Sequence, residues 1–134
     1  MQSTPRELVA LSRDESLALL AGVPVGQVVF THRAMPDVFP VNFRLDGDAV
    51  VIRVAADSAL ARVVGGPVLA FHADRIDEEN HTGWSVTVLG RGEAVTDPAE
   101  CRRIAALPLV SWAGDARDRF VRIAVERVTG RRLG

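Results

Sequence analysis

All 16 basic residues of this 134-residue chain are arginine, and tyrosine is absent. Schiff-base catalysis by lysine and proton transfer by tyrosine are therefore excluded. Any anion must be held by arginine, a hydroxyl or backbone N–H groups. His72, Asp74, Asp77 and His81 invite a metal test, because His72 and Asp74 share a strand face and His81 could return across the loop. With three histidines in the whole chain and nothing to fix that loop, no metal is expected. Cys101, the single cysteine, has no disulfide partner and no second thiol to share a metal. No serine stands in a Gly-x-Ser-x-Gly elbow, and Gly90-x-Gly92 lacks the third glycine of a dinucleotide fingerprint. No side chain looks like an obligatory acid or base; Asn42 inside an apolar strand, Arg53 next to a helix start, Ser58 at that start, and Trp84 and Trp112, two of only seven aromatics, are positions where a ligand contact is one reading. Each has a plainer alternative. Asn42 could satisfy a bulge, Arg53 could be a solvated edge residue, Ser58 could be a helix cap, and both tryptophans could serve interface packing.

These residues must be carried by one domain, residues 1–134, since a chain of this size that is 48% hydrophobic fills a single core. The formal charge is -1 and the arginines are scattered, which argues against a nucleic-acid partner. No apolar run approaches the roughly 20 residues that span a bilayer, and Met1 to Pro5 lack a signal-peptide layout. No membrane partner and a cytoplasmic location are the expectation.

Ser12 and Glu15 form a capping box for a helix over about Arg13–Ala21, stopped at Gly22. Strands are predicted over 26–31 and 38–45, with Met35, Pro36 and Asp37 in the loop between, and over 49–54 after the Asp46-Gly47-Asp48 turn. Asp57 or Ser58 caps a short helix to about Val64, ended by Gly65, Gly66 and Pro67. Strand 68–73, a polar loop 74–82 and a long strand 84–95 follow, with Gly90 and Gly92 marking a barrel corner. Asp97 and Pro98 open a helix to about Leu107, and 120–128 is read as the last strand. Six strands and three short helices in this order do not alternate as in a parallel sheet, so the fold class is mainly β, an antiparallel barrel.

Pro40-Val41-Asn42-Phe43, Thr82-Gly83-Trp84-Ser85-Val86 with Gly90, and the pair Leu109 and Trp112 together resemble the short actinobacterial-type members of the pyridoxamine 5'-phosphate oxidase-like FMN-binding split barrels. Order and spacing agree from Leu19-Leu20-Ala21-Gly22 to Thr129-Gly130-Arg131-Arg132. The resemblance implies a six-stranded split barrel that forms a homodimer with FMN in the subunit interface. By the same resemblance, Val41 and Asn42 would lie beside the ring edge, and Arg53, Val54 and Ser58 would surround the phosphate. Trp84 and Ser85 would approach the ring and ribityl chain, and Trp112 would close the site from the partner subunit. An apolar slot with a few polar edge groups and positive charge at its far end suits such a ligand.

The phosphate end departs from the family. Relatives often show Arg-Thr and then Gly-Thr-Lys-Leu, whereas this chain has Arg53-Val54 and Asp57-Ser58-Ala59-Leu60. A hydroxyl and a lysine are lost and a carboxylate is gained, so phosphate affinity should fall. Arg53, Arg62 and the first N–H groups of the short helix could compensate in part. The expected function is an FMN-dependent oxidoreductase or flavin-binding protein of unnamed substrate. A deazaflavin coenzyme is a close variant, and a non-catalytic dimeric module with no cofactor is the rival. Oxidation of pyridoxamine phosphate itself is disfavoured, because no second arginine-rich phosphate site can be located.

Overall fold

A helix starts most readily where a side chain accepts one of its free N–H groups. In the computed structural model, which describes residues 5–109 and 119–134, three side chains do this. Ser12 accepts from the Glu15 N–H while the Glu15 carboxylate accepts from the Ser12 N–H, opening α1 (Arg13–Leu20). That N–H bond holds the Glu15 carboxyl below its usual range. Ser58 caps α2 (Ala59–Val63), and Asp97 with Pro98 opens α3 (Pro98–Ala105). Between the two candidates for the second cap, the chain uses Ser58.

The strands are β1 (Leu8–Leu11), β2 (Val25–His32), β3 (Met35–Asp46), β4 (Ala49–Val54), β5 (Val68–Asp77), β6 (Thr82–Ala94), β7 (Arg119–Ala124) and β8 (Arg127–Leu133). All pairings are antiparallel. Following them in the order β2, β3, β4, β7, β6, β5 and back to β2 closes a six-stranded barrel. These six are the strands expected from the sequence. Strands β8 and β1 extend the sheet outward from β6, so eight strands replace six.

Three boundaries differ for physical reasons. Residues 35–37, expected in a loop, begin β3, because Arg33 and Ala34 turn the chain with φ of 53° and 62° although neither is glycine. The loop expected over 74–82 contracts, since β5 runs on to Asp77 and pairs with Thr82. The single strand expected over 120–128 is two, because after Ala124 the chain leaves β4 while staying beside β6, with which it pairs again from Arg127. Val125 N–H bonds to Asp48 O and Glu126 N–H to Leu89 O where β4 is left.

Inward-facing alternate residues fill the barrel, among them Val28, Phe43, Val50, Ile52, Phe71, Val86 and Ile123. Phe43 and Phe71 meet with ring centroids 4.6 Å apart. Strand β4 is buried on both faces. Its outward Val51 joins Ile104 of α3 and Leu109 in a second small core with Phe120 and Val95 alongside. Arg103 of α3 donates to both Asp46 oxygens at 3.0 and 2.7 Å and to Glu100, and Arg122 bridges the same two carboxylates. The guanidinium of Arg103 holds both carboxyls below their ordinary range.

Two strands serve both halves of the barrel. Residues 83–89 of β6 pair with β8 while residues 92–94 pair with β7, and Gly90 lies between. A Cβ at Gly90 would run into the Ala124 carbonyl oxygen. Gly90→Ala should therefore destabilise the chain by about 3 kcal/mol, read as a lower urea midpoint; an unchanged midpoint would show that the corner tolerates a side chain. The clamp on α3 makes a second prediction. Carboxyls depressed in the folded state lend stability above their unfolded pKa, about 4, and lose it as pH falls through the folded value. Arg103→Gln should lower the Tm at pH 7, and the gap to the parent should close on acidification below about pH 4. A gap that persists in acid would assign the effect to packing.

Candidate functional site

The barrel's second shared strand is β3. Its first half pairs with β2 from Met35 to Asn42, and its second half pairs with β4 from Phe43 onward. At this split the Pro24 carbonyl accepts both the Phe43 N–H at 3.2 Å and the Asn42 side-chain amide at 3.3 Å. Asn42 thus holds the bend where the sheet divides. Its amide stands on the outward face, because Val41 and Phe43 on either side are buried.

Arg53 and Asn42 each stand one residue beyond the Phe43–Ile52 pair, so both lie on outward positions where the β3–β4 ladder ends. Arg53 is half-buried and lies over Phe120, its guanidinium carbon 5.4 Å from the ring centroid. Its Nε is a buried donor with no acceptor among the described residues. An N–H held out of water without a partner costs about 1–3 kcal/mol. A ligand oxygen is the natural group to relieve it.

The neighbouring positions contribute less than their residue types suggest. Val41 and Val54 are 4% and 0% exposed inside the barrel core. They can meet a ligand only through their backbone. The Ser58 hydroxyl donates to Ala55 O at 2.7 Å and accepts from Ala61 N–H at 3.2 Å, so capping uses it. Arg62 is exposed. The phosphate end that the sequence suggests therefore rests on Arg53.

Trp84 and Ser85 lie elsewhere, on β6 between Arg75 and Asp74 of β5 and Arg132 and Arg131 of β8. Trp84 packs on the barrel core, while Ser85 faces outward. Neither pairs with β3 or β4, so a single chain does not join them to Arg53 through adjacent strands. Trp112 lies outside the described residues.

Between these two groups the outer face holds a shallow pocket of 190 Å³, lined by Val25, Gly26, Gln27, Pro40, His72, Ala73 and Asp74. Val25 is the register partner of Asn42 and Asp74 that of Ser85, so the pocket bridges the two groups. Its polar centre is His72, with Nδ1 3.0 Å from Thr87 Oγ1 and Nε2 3.1 Å from Asp74 Oδ2. By their spacing in the sequence, His72 and Asp74 invite only a metal test. Among the described residues no three metal-binding side chains gather. Strand alternation over 68–77 and 84–90 was the signal that could have placed His72, Asp74, Ser85 and Thr87 on one face.

A roomier cleft of 490 Å³ lies beside α3, lined in part by Glu93, Asp97, Glu100, Glu126, Arg91 and Arg122. Four carboxylates face it, and Arg122 is already paired with Glu100 and Asp46. Its volume exceeds that of the outer-face pocket, but its charge repels a phosphate. The unpaired donor at Arg53 makes the outer face the better candidate.

No helix among the described residues is long and apolar enough to cross a membrane. The chain is 40% identical over 133 residues to Rv0080, an uncharacterised protein of Mycobacterium tuberculosis (strain ATCC 25618 / H37Rv), covering 96% of this chain and 87% of that one. The FAD-binding protein of Mycobacterium smegmatis superposes with a TM-score of 0.79 at 31% identity, over 92% of this chain and 97% of its own. The protein DIP1874 of Corynebacterium diphtheriae, of unknown function, superposes with a TM-score of 0.80 at 33% identity, over 95% and 98% of the two chains. The family model for pyridoxamine 5'-phosphate oxidase matches residues 12–132. With a closed six-stranded barrel split at Asn42 and matched across nearly its whole length, this chain belongs to the pyridoxamine 5'-phosphate oxidase family.

Proposed function

We propose that this chain is a cytoplasmic, homodimeric flavin-binding protein of the oxidoreductase kind, with FMN as the first candidate cofactor and its site shared between two copies. The observation that carries the reading is the buried Nε of Arg53, without an acceptor among the described residues, at the sheet split that Asn42 also flanks. Arg53 would hold the phosphate, the Asn42 amide and the Val41 backbone would meet the ring edge, and the Val54 backbone and Ser58 would border the tail. Trp84 and Ser85 would approach the ring and ribityl chain, and Trp112 of the second copy would close the slot. A bound flavin supplies electron or hydride transfer. The residues of this chain bind it, orient it and keep water from its ring. The FAD-binding relative supports a flavin and makes FAD the alternative to FMN.

The outer surface supports association. Val29, Val38, Ala70 and Leu89 form one apolar row across β3, β2, β5 and β6, with Val38 and Val68 more than half exposed. A contiguous apolar stripe on the outside of a barrel is characteristic of an interaction face. A second copy of the chain would cover it.

One observation favours the rival, a binding module that does not turn over or that prefers a deazaflavin. The Ser58 hydroxyl is used by its own helix and Arg62 is exposed, so among the described residues Arg53 is the one half-buried cation left for the phosphate end. Titration of the purified protein with FMN, FAD and a deazaflavin coenzyme separates these readings. Quenching of FMN or FAD fluorescence at micromolar concentration, weakened about ten- to a hundredfold in Arg53→Ala, is expected. Preference for the deazaflavin favours that variant, and indifference to all three favours the module. Light scattering should give twice the 14.5 kDa chain mass; a monomer at working concentration refutes the shared site.

A further inference from the structure

A threonine hydroxyl can donate or accept, so by itself it says little about what it binds. Thr87 is different, because its neighbours decide for it. Asp74 stands two residues from His72 on the same face of β5, and its Oδ2 lies 3.1 Å from His72 Nε2. An ionised carboxylate only accepts, so a neutral imidazole must carry its hydrogen on Nε2. Nδ1 is then a lone pair, 3.0 Å from Thr87 Oγ1. The one hydroxyl hydrogen of Thr87 goes to Nδ1, and the oxygen is left with lone pairs only. Across β8 the register partners of Thr87 and Ser85 are Thr129 and Arg131, and across β2 that of His72 is Gln27. Asp74 is therefore the carboxylate that sets the ring, among the described residues.

We propose that Thr87 Oγ1, its polarity locked by His72 and Asp74, is a specificity-determining acceptor for an N–H group on the edge of a flat heterocyclic ligand. Thr87 is half-buried on the outward face, two residues from Ser85, and as the register partner of His72 it stands next to, not in, the lining of the pocket that His72 and Asp74 form with the apolar surfaces of Val25 and Pro40. A flavin ring carries one such group, the imide N–H flanked by two carbonyls. The inference rests on the flavin reading and adds which edge of the ring faces β6. His72 and Asp74 act here as positioning residues, and only Thr87 touches the ligand.

The test compares FMN with FMN methylated at the imide nitrogen, by fluorescence titration of the full chain at about pH 8.5, where imidazoles are neutral. The parent should bind FMN about tenfold more tightly than the methylated form, the effect of one hydrogen bond at a partly buried site. Thr87→Val keeps shape and strand propensity, and should weaken FMN while binding both ligands within about twofold. His72→Phe leaves the Thr87 hydroxyl free to turn and should narrow the preference; it carries the test if Thr87→Val does not fold. A parent that binds both ligands equally, or a Thr87→Val that discriminates as the parent does, overturns the assignment while leaving the flavin reading intact. A parent that binds neither ligand overturns both.

Discussion

Closing a sheet of six strands requires two of them to belong to both halves at once, and that sharing governs the rest of this molecule. Strand β6 does it through Gly90, where another backbone comes too close for a side chain. Strand β3 does it at Asn42, whose amide and whose neighbour's N–H both bond to the Pro24 carbonyl. Where β3 turns from β2 toward β4, the outward faces of the two halves part. Arg53 stands one residue beyond the last β3–β4 pair, with a buried donor that is unpaired among the described residues. The barrel core and the binding feature thus come from one geometrical requirement.

The division of labour between the faces follows strand alternation. Inward positions carry Val, Ile, Leu and Phe, and outward positions carry the polar side chains Asn42, Arg53, His72, Asp74, Ser85 and Thr87. This explains why Val41 and Val54, although adjacent to the candidate positions Asn42 and Arg53, are core residues. It also bears on the missing threonine at the phosphate end, because a side chain at position 54 points into the barrel. Strand β4 is the exception to one-sided burial, being covered outside by α3 and the small core around Val51 and Ile104.

Much of this was legible in the residues. The capping box at Ser12 and Glu15, the Asp97–Pro98 start and the corner glycines each name a local mechanism that holds whatever surrounds it. The six barrel strands were legible for a similar reason. Other features depend on partners that local pattern cannot see. Arg33 and Ala34 adopt left-handed backbone in place of the glycine or asparagine that signals a hairpin. Strand β1 exists only because β8 offers an edge. The departure from β4 after Ala124 lacks glycine and proline and leaves only the slip from Val125 to Val128 in the alternation to mark it. Of the candidate site, the importance of Arg53 and Asn42 was suggested by family likeness, and their shared place at the end of the β3–β4 ladder came only with the register. The locked row of Thr87, His72 and Asp74 was missed, since it depends on β5 and β6 pairing in one particular register.

The measurement that tests the account most directly is a crystal structure of the FMN-saturated protein. The account predicts the phosphate within roughly 3 Å of Arg53 Nε, the ring over the outer face between Asn42 and Ser85, and protein contacts from two copies of the chain. A flavin bound in the acidic cleft beside α3, or one held wholly by a single chain away from Arg53, would contradict it.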